Sequence, residues 1–191
     1  MDSVRDSDLK TVEEYLAEEN SSATRHEYLG GVVYAISGGR NVHNQVATNI
    51  SSSLWSRLRG GPCRAFNSDT KIRLRLPGHV RFYYPDVSVV CRQNSPDDTF
   101  QDEPVLVVEV LSASTKRTDE GEKREAYLTI PSLCLYLLVD PDLPQVVVFR
   151  RTDQGFAREV WSHKEAVIPL PELKIELPLA DIYDGLDIPT T

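Results

Sequence analysis

The chain has 191 residues, 40% hydrophobic and 26% charged, with a formal net charge of −8, the composition of an ordinary soluble globular protein near one or one and a half domain lengths. Its few glycines and prolines exclude a collagen-like or mucin-like chain, and the length can bury a substantial core. No apolar run approaches the roughly 20 residues of a membrane helix, and the N-terminus lacks the basic-then-apolar pattern of a signal peptide. One domain over residues 1–191 is therefore expected, folding alone or as a symmetric oligomer such as a homodimer, in the cytoplasm and without a membrane partner. Cys63, Cys91 and Cys134 are an odd set without a C-x-x-C, so three reduced thiols are expected.

In chain order, Thr11 and Glu14 form a capping box that opens a short helix. Residues 26–36 read as two strands joined at Gly30-Gly31, a hairpin signal. From 42 to 59, Val46, Ile50, Leu54 and Leu58 recur every fourth residue and Gly60-Gly61 supplies the stop, which predicts the first core helix. Lys71 to Leu76 alternates strictly, as in a half-buried strand with a basic side, and 80–84 returns as its partner. A strand is expected over 86–91 and a polar loop over 93–104. Residues 105–111 are apolar on both faces, the mark of a central strand covered on two sides. A helix over about 119–129, a buried strand over 133–139 and a closing hairpin over 145–151 and 156–162 follow. The remaining tail is expected to wrap the surface with one short helix near 180–183. This order predicts an α/β fold: a mixed β-sheet flanked by helices, with an N-terminal helix-hairpin extension and a C-terminal β-hairpin.

An acidic balance weakly disfavours a protein that coats nucleic acid by bulk electrostatics. The distribution is uneven, however. Residues 41–82 hold seven bases (Arg57, Arg59, Arg64, Lys71, Arg73, Arg75, Arg81) against Asp69 alone, while residues 1–40 hold eight acids and four bases. That stretch is either a phosphate-facing surface or a solvated face.

Glu109 carries the most chemical information. A carboxylate among Val107, Val108, Val110 and Leu111 enters a nearly dry sheet, and there it needs a counter-charge, a proton or a metal. Asp86 follows Pro85 at the start of another strand, as a strand-start acid or as a ligand. Two carboxylates on adjacent strands suit a hard divalent cation such as Mg²⁺. On the helix that follows, Ala126, Tyr127 and Ile130 define the core-facing stripe, and Lys123 falls near its middle. Its ammonium either snorkels along the sheet edge or aims at Asp86 and Glu109, with Lys116 and Arg117 as competing cations.

The order of helix, strands carrying Tyr84-Pro85-Asp86-Val87, a strand ending Glu109-Val110-Leu111-Ser112-Ala113-Ser114-Thr115, and then Glu122-Lys123 with Tyr127 resembles the Uma-two family of restriction-endonuclease-like proteins, within the PD-(D/E)XK nuclease superfamily. The resemblance spans residues 9–184. Ala113 stands where the family often has Pro, and Leu111 stands where the superfamily places its lysine, two residues after the second acid; the matching lysine is Lys123. The resemblance implies a Mg²⁺-dependent DNA endonuclease, with Mn²⁺ as a substitute. It implies that Asp86, Glu109 and the Val110 carbonyl hold metal while Lys123 orients the attacking water or neutralises charge in the transition state. The family's early Glu matches Glu27, which completes the acidic cluster or stays solvated on its hairpin, and its helix-start His matches His43, as a core or capping residue or a phosphate contact. The rival reading is a catalytically silent nuclease-like domain that binds DNA or protein. No nucleophile elbow, Walker loop, dinucleotide fingerprint or zincin spacing supports other chemistry.

Overall fold

The computed structural model describes residues 9–36, 38–113 and 115–187. Ser114, quoted above with the Glu109 strand, lies outside them, as does the N-terminal segment 1–8. Helix α1 (Val12–Glu19) opens with the expected capping box. Strands β1 (His26–Leu29) and β2 (Val32–Ala35) form the expected hairpin, with Leu29 opposite Val32 and both turn glycines at positive φ. Helix α2 (Asn41–Leu58) precedes β3 (Arg64–Asn67), β4 (Lys71–Leu76), β5 (His79–Tyr83), β6 (Val87–Val90), β7 (Phe100–Gln101) and β8 (Pro104–Val110).

The next helical stretch runs in three pieces: α3 (Lys116–Thr118), a π-helical turn (Asp119–Lys123) and α4 (Arg124–Leu128). Then come β9 (Leu135–Asp140), β10 (Gln145–Thr152), β11 (Gly155–Ser162), β12 (Val167–Leu170), β13 (Ile175–Pro178) and α5 (Leu179–Ile182). Among the described residues no helix is long and apolar enough to cross a membrane.

A mixed six-stranded sheet, ordered β11-β10-β9-β8-β6-β3, forms the centre, with β8 and β9 parallel. A five-stranded sheet ordered β2-β1-β5-β4-β7 stands beside it. The period-two alternation of β8 divides the core. Leu106, Val108 and Val110 pack toward Val46, Ile50 and Leu54 of α2. Val107 and Leu111 pack with Ala126, Tyr127 and Ile130 beside α4 and with Ile72, Leu74 and Tyr83. Glu109 shares the parity of Val107 and Leu111, so strand geometry directs its carboxylate toward the helix that carries Lys123.

Four expectations change. The tail does not wrap the surface: β12 and β13 pair, and Ile168, Leu170, Leu177, Leu179 and Ile182 are buried against the α2 side of the core. Its period-two apolar pattern was broken by prolines at exposed positions, which hid the hairpin. Within the polar 93–104 loop, β7 adds a short parallel strand beside β4. The thiols are not all reduced, because Cys63 and Cys91 form a disulfide and Cys134 alone is free. The reason is β3, an edge strand that the sequence pattern did not reveal: it runs antiparallel to β6 with Arg64 opposite Val90, and this register brings the two flanking cysteines together.

The basic stretch, finally, does not present one face. Lys71 is buried with its ammonium over the Tyr84 ring, Arg73 grips Asp102 through two hydrogen bonds, Arg57 pairs with Asp181 and Arg81 with Glu122. Arg75 stays largely exposed at 66%.

Candidate active site

Glu27, His43, Asp86, Glu109, Val110 and Lys123 line one cleft of about 450 Å³, together with Asp119, Arg25, Arg40 and Asn44. They arrive from separate parts of the chain. Glu27 comes from β1, where the hairpin places it opposite Tyr34. His43 sits in the first turn of α2, Asp86 immediately before β6, Glu109 near the end of β8, and Asp119 and Lys123 at the two ends of the π-helical turn.

Lys123 is the hub. Its Nζ lies 2.7 Å from Glu27 Oε1, 3.7 Å from Glu109 Oε1 and 3.8 Å from Asp119 Oδ1, and it stands over the Tyr83 ring at 5.4 Å. All four side chains of this charged group are at least nine-tenths buried. Burial alone would push the lysine pKa down; Glu109, Glu27 and Asp119 more than reverse this, and the net shift is upward. The ammonium therefore stays charged at any neutral pH. It neither snorkels nor reaches solvent, whereas the competing Lys116 is exposed and only 4.0 Å from Glu120 on the surface.

One ammonium does not satisfy this many carboxylates. Burial holds the Glu109 pKa well above the usual carboxylate range; Lys123 opposes this, and Asp119, Asp86 and Glu27 reinforce it as like charges. Asp119 is pushed up for the same leading reason. Glu109 Oε1 and Asp119 Oδ1 are buried oxygens with no hydrogen-bond partner, and the adjacent Tyr127 hydroxyl also lacks one. Unsatisfied buried carboxylate oxygens are costly and call for a proton or a cation.

Asp86 forms the other wall. Its Oδ2 accepts the Val110 N–H at 2.7 Å, which ties the loop before β6 to the residue after Glu109. His43 Nε2 lies 3.3 Å from the same oxygen. That contact raises the imidazole pKa, and burial opposes the rise. His43 is thus neither a cap nor a core histidine; it faces the cleft. Glu27 is not solvated: it is 7% exposed and its Oε1 also accepts the Tyr84 N–H at 3.3 Å.

Asp119 is the residue that reading the sequence missed. It precedes Lys123 by four residues and so shares its helical face, a signal present in the sequence. Asp86, Glu109, Asp119 and Val110 line the cleft together, and carboxylate and carbonyl oxygens are the donor types that hard divalent cations take. Among the described residues, however, no group of three His, Cys, Asp or Glu side chains is placed to hold a metal ion.

A second polar hollow of about 400 Å³ shares Arg25, Asn44, Ser68 and Asp86 with the cleft and continues along α2 past Thr48 and Ser51.

The model of the Uma2 family, described as "Putative restriction endonuclease", matches residues 12–180. An uncharacterized Synechocystis protein, slr1290, is 38% identical over 175 residues, covering 91% of both chains. A second one from the same organism, sll1609, is 33% identical over 135 residues, covering 69% of this chain and 75% of the relative. The fold also matches the crystal structure of "a putative nuclease belonging to DUF820" from Anabaena variabilis, with a TM-score of 0.71 and 21% identity over 91% of this chain and 97% of that one.

Proposed function

Since this chain belongs to the Uma2 family, we propose that it is a divalent-metal-dependent endonuclease that hydrolyses phosphodiester bonds in DNA. The observation that carries the proposal is the pair of buried carboxylate oxygens on Glu109 and Asp119, which have no hydrogen-bond partner and only the Lys123 ammonium at 3.7 and 3.8 Å, in a cleft lined by four carboxylates. Asp86, Glu109 and the Val110 carbonyl would hold Mg²⁺ or Mn²⁺, and Asp119 is a further donor. A bound metal supplies an activated water and stabilises charge on the phosphate.

The protein's own groups prepare that chemistry. Asp86 is held by the Val110 N–H, so two of the oxygens aimed at the cation move as one unit. Lys123, kept protonated by its carboxylate neighbours, is a source of positive charge and not a general base. The aromatic rings of Tyr83, Tyr127 and Tyr136, tilted against one another with centroids 5.4 and 5.5 Å apart, wall off the back of the carboxylate group and keep its dielectric low. The polar hollow along α2, continuous with the cleft through Asp86, gives the nucleic-acid strand a path lined by amide and hydroxyl groups.

The test is plasmid nicking with Mg²⁺, Mn²⁺ or EDTA, for wild type and Glu109→Ala. Metal-dependent nicking that Glu109→Ala abolishes is expected. Retarded DNA without nicking under any metal would instead select a silent nuclease-like binding domain.

A further inference from the structure

We propose that the groove between α2 and the edge strand β3 binds an unpaired stretch of the DNA substrate, with Trp55 as a stacking platform and Arg59 and Arg64 as phosphate contacts. The inference rests on the nuclease reading above and deepens it by naming the form of the substrate. The polar hollow that leaves the cleft is lined on the helix side by Asn44, Thr48 and Ser51 and on the strand side by Asn67. Farther along, a second hollow of about 210 Å³ lies between Trp55 and Arg59, at the end of the helix, and Arg64 and Ala65 of the strand.

The two hollows are the two ends of one groove. On α2, Asn44, Thr48, Ser51 and Trp55 follow at spacings of three and four and so form one stripe, which Arg59 continues. The opposite side of the helix carries Val46, Ile50 and Leu54 into the core. On β3, Ala65 and Asn67 share a face by strand period, one lining each hollow. At a rise of about 1.5 Å per residue, Trp55 stands about 17 Å along the helix axis from Asn44, which borders the cleft.

Charge and ring chemistry identify the occupant. Of the bases in residues 41–82, Arg57, Arg73, Arg75 and Arg81 face carboxylates and Lys71 is buried. Arg59 and Arg64 form no ion pair among the described residues, and both are exposed at the far end of the groove. Arg64 is held in place by donating to the Gly61 and Cys63 carbonyls at 2.6 and 2.9 Å. The Arg59 guanidinium lies 5.2 Å from the centre of the Trp55 ring and steadies it. That ring is 56% exposed, more than any other large hydrophobic side chain among the described residues. Two unneutralised guanidiniums in a chain of net charge −8 mark an anion site. A base presents its face to an aromatic ring only where the strand is unpaired, so the indole selects single strand over duplex.

Binding is measured by fluorescence anisotropy across a salt series, with a labelled oligothymidylate of about 12 nucleotides, longer than the groove even when stacked at about 3.4 Å per base, and with a hairpin duplex of similar length. Both are studied in EDTA, so that no cleavage competes. Wild type is expected to prefer the single strand by about fivefold or more. Trp55→Ala, which leaves the core intact because the ring is exposed, should weaken single-strand binding about 5- to 100-fold and change duplex binding by no more than about twofold. Trp55→Phe should restore much of the loss. Arg59→Gln with Arg64→Gln should reduce the slope of log affinity against log salt by about 1.4, two phosphates at about 0.7 each. In a Trp161→Phe background, the oligothymidylate should quench the Trp55 emission.

A wild type that binds the single strand no better than the duplex overturns the proposal, and so does a Trp55→Ala variant with unchanged single-strand affinity. If sedimentation shows that Trp55→Ala converts a dimeric wild type into a monomer while single-strand affinity is kept, the patch is an interface between two copies of the chain and the proposal falls. Each of these results leaves nicking by the cleft standing. Groove binding as expected, with no nicking under any metal, overturns the nuclease reading alone.

Discussion

Replacing Lys123 with Met keeps the side-chain length and removes the only ammonium among Glu27, Glu109 and Asp119. The 2.7 Å contact to Glu27 is lost, and so are the two longer ones at 3.7 and 3.8 Å. Breaking a buried ion pair from one side costs about 3 to 5 kcal/mol, because the remaining charge stays buried and unpaired. For a chain of this length that corresponds to a fall of about 6 to 20 °C in melting temperature.

The pH dependence separates this cause from simple loss of packing. The Lys123 pKa is raised above the free value of 10.5, so its contribution is complete below that pH and disappears only above it. Any change in the deficit between pH 8 and pH 5.5 comes from the titratable groups left in the cleft, the carboxylates and His43. Glu109 and Asp119 already have raised pKa values, led by burial, and without the ammonium they rise further. The folded variant then takes up protons that the unfolded chain does not, and its deficit shrinks as pH falls from 8 to 5.5. Urea unfolding followed by circular dichroism at both pH values measures this. A deficit under about 1 kcal/mol at pH 8, or one of equal size at both pH values, would refute the reasoning.

Glu109→Gln should separate catalysis from stability. A carboxylate whose folded pKa lies above its unfolded value destabilises the fold once pH exceeds the unfolded value. The amide should therefore melt higher than wild type at pH 8 and at the same temperature near pH 4, while metal-dependent cleavage is lost; a lower melting temperature at pH 8 would contradict the raised pKa. The Cys63–Cys91 disulfide closes a loop with a sequence separation of 28, worth about 3.5 kcal/mol by loop-closure entropy. The Cys63→Ala/Cys91→Ala double variant should unfold at markedly lower urea with unchanged Mn²⁺ affinity, and an unshifted midpoint would remove the disulfide from the account of stability.

What could be read in advance follows the range of each signal. Glu109 was visible because a charge inside a two-sided apolar run breaks a local rule, and Lys123 because a charge on the apolar stripe of a helix breaks another. Helix α2 and the β1–β2 and β10–β11 hairpins rest on periodicity and turn chemistry within a few residues. By contrast β3 is four residues long, and its place at the sheet edge depends on pairing with β6 some twenty residues later. Nothing local marks such a strand, and the disulfide beside it stayed hidden for the same reason. The bases at 57–81 looked like a surface because their partners, Asp102, Asp181 and Glu122, lie far along the chain.

The π-helical turn explains why the cation can come from a helix at all. Its register carries both Asp119 and Lys123 toward the sheet, at 2% and 6% exposure, while Glu120 and Glu122 face outward. A lysine on the β8 strand two residues after Glu109 would share that residue's face and lie beside it. That position here is Leu111, which packs with Ala126 and Tyr127. Moving the ammonium onto the helix frees this place for the hydrophobic contact that docks α4, and it lets Glu27 of β1 hold the ammonium from the far side at 2.7 Å. The hairpin thereby becomes part of the site's electrostatics. On the proposed reading Glu27 would act as a positioning residue for Lys123, through their 2.7 Å ion pair.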